Sequence, residues 1–79
     1  MTKNDYEYKN FLIEQLQWSK QQDSILEVIE IKLHVMKRIA EYAAEHELTR
    51  IESNRLNVQL GELKSEIQSL EMLLHTSFH

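Results

Sequence analysis

A chain of 79 residues with no cysteine, no proline and one glycine holds one domain at most, and it lies near the size at which a single core only just offsets the entropy of ordering it. Disulfides are excluded, so oligomerisation is the remaining common source of extra stability. The net charge of −4 is spread along the chain and no segment carries a net basic charge, which argues against nucleic-acid binding through phosphate neutralisation.

The N-terminal stretch from Met1 to Lys9 is polar, without the apolar run of a signal peptide, and nothing further on approaches a membrane span. The expectation is a cytoplasmic protein with no membrane partner. Glu, Leu, Gln, Lys, Ile and Ala dominate the composition, as in long helices, and the residues that punctuate strands and turns are nearly missing.

Placed at 100° per residue, Tyr8, Phe11, Leu12, Leu16 and Trp18 fall within an arc of about 160°. This predicts a short amphipathic helix over residues 5–19, with Asn4 or Asp5 as its N-cap. The run Ser19-Lys20-Gln21-Gln22-Asp23 has no apolar residue and reads as a connection.

Ser24-Ile25-Leu26-Glu27 fits a capping box, so a second helix is expected over residues 24–46. Its main stripe is Ile25, Leu26, Ile29, Leu33, Met36, Ile39, Ala40, Ala43 and Ala44. A second stripe, Val28, Ile31, Val35 and Tyr42, lies to one side. Together they cover roughly 220° of the circumference, more than one neighbouring helix buries. The second helix is therefore expected to be the most buried element, contacted on two faces.

Thr49-Arg50-Ile51-Glu52 is another capping-box match and opens a third helix over residues 49–75. Leu56, Leu60, Leu63, Ile67, Leu70 and Leu74 recur at alternating intervals of four and three, the spacing of a coiled-coil seam. Gly61 lies off that seam and reads as an exposed, tolerated glycine.

The apolar phase slips between the second and third helices, which fits a turn near residues 46–49 or a stutter in one rod. Two helices of about 35 and 40 Å match well when folded back, so the expectation is an antiparallel hairpin. The fold class that follows is all-α: a short N-terminal helix and a long antiparallel hairpin with coiled-coil-like packing, in a dimeric helical bundle. The hairpin would bring Met72, Leu73, Leu74 and Phe78 beside Ile25 and Leu26, with Phe11 and Trp18 tethered at the same end.

Four histidines are the only plausible metal or acid-base groups. Glu30 with His34, and Glu71 with His75, share helix faces at a spacing of four, but no repeated ligand motif accompanies them. With no cysteine, no glycine-flanked serine and no glycine-rich loop, the residues point to no enzyme, no cofactor and no small-molecule substrate. Tyr6, Tyr8, Phe11 and Trp18 read as packing residues, because the neighbouring lysines are balanced by carboxylates.

What remains is helix packing. The sequence predicts a protein–protein interaction module, a small acidic adaptor or regulator that forms a homodimer and acts through an apolar face of its central helix. The alternatives are a structural coiled-coil subunit of a larger complex and, with less support, a nucleic-acid-associated regulator. The interface residues it singles out are Val28, Ile31, Val35 and Tyr42 on that face, with Phe11, Trp18 and Leu73 at its end.

Overall fold

A computed structural model describes the backbone of residues 3–76. It contains two α-helices, α1 over Lys3–Glu45 and α2 over Arg50–Thr76, packed on each other as a hairpin. No strand occurs among the described residues.

The two N-terminal helices expected from the sequence are one helix of 43 residues. Residues 19–23 are not a connection, and Ser24 caps nothing because it lies in mid-helix. The physical reason is local: Lys20, Gln21 and Gln22 are good helix formers, and lacking apolar residues does not break a backbone that has neither Gly nor Pro. Asn4 and Asp5 sit in the first turn, where the Asp5 carboxylate complements the positive end of the helix dipole.

The turn falls where the phase slip placed it. After Glu45 the chain runs through residues 46–49 without a left-handed residue, so the end of α1 is closed by a side chain in place of glycine. The Tyr42 carbonyl accepts from the His46 backbone amide at 3.2 Å and from His46 Nδ1 at 2.9 Å, which requires the proton on Nδ1. Thr49 then caps α2: its Oγ1 accepts from the Glu52 amide at 3.1 Å and donates to the Glu52 carboxylate at 3.1 Å. This is a variant of the capping box, with the carboxylate returning to the hydroxyl.

The side chains that lose most exposure along α1 are Trp18, Gln22, Ile25, Ile29, Lys32, Met36, Ile39 and Ala43, at intervals alternating between four and three. On α2 they are Ser53, Leu56, Leu60, Leu63, Ile67, Leu70 and Leu74, with the same alternation. Each helix thus presents one narrow strip, and the centre of the contact is Ile29 with Ile67, the most buried apolar side chains among the described residues.

That strip corrects the expected burial. Leu26 and Leu33, placed in the main stripe by the sequence, are about half exposed, and α1 is contacted by α2 on one face. A seven-residue repeat selects a band narrower than the arc an isolated helical wheel suggests.

The hairpin is also lopsided. Lys32 bonds Glu66 across it, and counting ten residues outward from that pair reaches Gln22 on α1 and Thr76 on α2. Residues 3–21 of α1, about 28 Å of helix, therefore project past the described end of α2. Because this segment continues the line of α1, it does not fold back to cover the hairpin. The expected convergence of Phe11 with Ile25 and Leu26 does not occur, and Phe78 lies outside the described residues.

The molecule is accordingly extended, 70 × 19 × 11 Å, with a radius of gyration of 20.1 Å against about 12 Å for a compact domain of its length. Its accessible surface of 6897 Å² exceeds by roughly 1,900 Å² that of a compact monomer of the same mass.

Candidate protein-interaction surface

Seven residues stand out in the sequence as an interaction surface, and the structure divides them among three places. Val28, Val35 and Tyr42 are every seventh residue of α1 and flank the buried strip on the side toward α2. Ile31 lies farther out. Their exposures, 40% for Val28, 57% for Ile31, 39% for Val35 and 46% for Tyr42, mark a stripe that α2 shields only along one edge.

The stripe is about 21 Å long and its floor is shallow. At one end Val28 lines a cleft with Lys32, Ser65, Glu66, Ser69 and Leu70. In the middle Ile31 and Val35 border a cleft with Glu27, Glu30 and His34. Near the turn Tyr42 lines another with Glu52, Arg55 and Leu56. The rim is thus mixed in charge and mainly acidic.

Tyr42 is held from behind. Its ring stacks on His46 with centroids 4.0 Å apart and planes 19° from parallel, and the same His46 ring bonds the Tyr42 carbonyl. A half-exposed aromatic ring fixed in this way loses little rotamer freedom when it is covered. The sequence offered a signal for this clamp, the spacing of four between Tyr42 and His46, but the stacking depends on how the helix ends.

Phe11 stands apart. It is 54% exposed on the projecting segment, about 25 Å along the helix from Val28. Trp18 is half-buried and Leu73 half-exposed, both at the open end of the hairpin where α2 terminates. The structure therefore does not join Phe11 to the Val28–Tyr42 stripe.

Two further apolar groups lie outside the seven residues singled out from the sequence. On α2, Ile51, Val58 and Met72 lie on the side away from α1, at multiples of seven residues, and are 60–74% exposed. On the projecting segment, Tyr6, Tyr8, Leu12, Ile13 and Leu16 join Phe11 as exposed residues. The seven-residue spacing of the first group was visible in the sequence, whereas the exposure of the second follows from α1 being straight.

Among the described residues no three metal-ligating side chains converge, and neither Glu30 with His34 nor Glu71 with His75 gains a ligand from the facing helix. No described helix is long and apolar enough to cross a membrane. The chain matches no protein-family profile, no curated protein and no solved structure.

Proposed function

We propose that this chain is a non-enzymatic protein–protein interaction module, an acidic helical-hairpin adaptor or regulator of the cytoplasm that docks a partner on the Val28, Ile31, Val35 and Tyr42 stripe. The observation that carries this reading is the exposure of that stripe directly beside the buried strip. An incoming amphipathic helix laid along it meets anchors at the spacing helix-in-groove recognition uses, and turns a two-helix contact into a three-helix one. The hairpin itself packs as an antiparallel coiled coil, in keeping with the alternation of three and four on both helices.

The reading includes self-association into a homodimer. Support comes from the roughly 1,900 Å² of surface in excess of a compact monomer, more than twice the 800 Å² or so that each partner buries in a standard interface. No nucleic acid, membrane, cofactor or small-molecule substrate enters it.

A second reading, a structural coiled-coil subunit of a larger assembly, is favoured by Ile51, Val58 and Met72 on the outer face of α2, which would need covering in a bundle.

Affinity capture from the native cell tests the first reading. The wild-type chain should retain a specific protein that Tyr42→Glu and Val35→Glu release, with helical content unchanged by circular dichroism. Equal recovery with both variants would move the interface off this stripe, and release by Val58→Glu in their place would favour the assembly subunit.

A further inference from the structure

We infer that the projecting segment of α1, residues 3–21, pairs antiparallel with the same segment of a second copy, so that two hairpins are joined end to end. This rests on the proposed self-association and assigns it a place and an orientation.

The first argument is continuity with the contact inside the hairpin. The strip of α1 runs from Ala43 to Trp18 in alternating steps of four and three, and the same steps continue through Gln15, Phe11, Tyr8 and Asn4. From residue 21 outward the described part of α2 offers nothing to cover them. Phe11 and Tyr8 lie on this continuation at 54% and 64% exposure, and Leu12, at 48%, flanks it. A repeat that continues on an exposed helix face presents a strip that another helix can pack against.

The second argument is geometric. A second copy turned end for end presents the same 19-residue strip, and two such strips of equal length cover each other fully in an isologous, closed contact. In the hairpin, the described part of α2 occupies the groove as far as Gln22; in the dimer, the projecting segment of the other copy continues that line. At that junction the Gln22 Nε2 amide is buried without a hydrogen-bond partner.

Electrostatics chooses between this arrangement and hairpins packed side by side. Residues 3–21 contain Lys3, Lys9 and Lys20 against Asp5, Glu7 and Glu14, a balance of zero, so the whole net charge of −4 resides in the hairpin. Side-by-side packing would bring two such charges together along their length. End-to-end pairing joins the neutral segments and holds the acidic hairpins apart, beyond the Debye length of about 8 Å at physiological ionic strength. It also leaves both Val28–Tyr42 stripes free, which makes the dimer a bivalent adaptor.

The test is small-angle scattering with sedimentation on the full chain at about 100 µM. Two molecules 70 Å long overlapping by about 28 Å form a rod of about 110 Å, whose radius of gyration is about 32 Å, against 20.1 Å for the single chain. A dimeric mass with that larger radius is the expected result, with Phe11→Glu returning a monomer near 20 Å and Val35→Glu remaining dimeric. A dimer whose radius stays within about 3 Å of the monomer value would overturn end-to-end pairing, since side-by-side hairpins and parallel pairing of the segments are both compact, and would leave self-association standing. A monomeric wild-type chain would sink both. The wild-type measurement decides even if Phe11→Glu unravels the segment, and a Val35→Glu variant that is monomeric would place the contact on the hairpin.

Discussion

Lys32 of α1 bonds Glu66 of α2 from a position inside the buried strip, where its neighbours one step either way are Ile29 and Met36. The lysine stem lies along the apolar contact while its ammonium reaches out to a half-exposed carboxylate at the edge. A charge at such a position contributes little to stability and more to alignment, because only one sliding position of the helices brings it to its partner.

Replacing the ion pair is therefore expected to be tolerated. Lys32→Leu should leave the melting temperature unchanged or raise it, since an apolar side chain fills the strip without the cost of holding an ammonium there. Glu66→Gln should cost no more than about 1 kcal/mol at low salt and less at high salt. Thermal melts at two salt concentrations decide it; a loss well above that figure in either variant would make the pair a principal source of stability.

Ile67 and Ile31 are the same residue type with opposite surroundings, 7% and 57% exposed. Ile67→Ala removes apolar contact at the centre of the hairpin and should cost about 2–4 kcal/mol, enough to lower denaturant midpoints sharply in a fold this small. Ile31→Ala should stay within about 0.5 kcal/mol. A comparable loss for Ile31 would mean that its stripe is already covered in the self-associated protein.

At the start of α2, Thr49 answers two groups of Glu52 with one hydroxyl. Thr49→Ala should destabilise by about 1 kcal/mol, whereas Thr49→Ser, which keeps the oxygen, should recover most of it. Hydrogen exchange localises the effect: protection should fall first in the amides of Glu52 and Ser53.

Gly61 is exposed, its backbone conformation is an ordinary helical one, and a Cβ added there meets nothing within 4 Å. Gly61→Ala should stabilise the hairpin by about 1 kcal/mol, seen as a rise of about 4–8 °C in melting temperature. A loss of stability would reveal a neighbour, such as a second chain, packed against this point of α2.

Much of the hairpin is legible in the sequence, and the two departures have different sources. The strip of α2, its cap at Thr49 and the turn after Glu45 were all read correctly, because Leu56 through Leu74 repeat without ambiguity and Thr49 and Glu52 are close in sequence. The polar run at residues 19–23 does not break α1, because lack of apolar residues is not a backbone signal and Lys20, Gln21 and Gln22 favour a helix. Leu26 and Leu33 were placed in the core because a helical wheel does not say which part of a broad apolar arc a single partner will take.

The sequence by itself determined that the chain is helical and which face of α2 is apolar, and it marked residues 46–49 as the place of a turn or a stutter. These depend on interactions within a few residues, through backbone hydrogen bonds, caps and propensity. Only the tertiary structure decided that residues 3–21 of α1 project past the described end of α2 and that the strip from Gln22 to Ala43, with Lys32 in it, is the face that α2 covers. Those outcomes depend on two segments far apart in sequence meeting at one alignment. The same alignment leaves Phe11 and Tyr8 with a repeat that no described part of α2 covers.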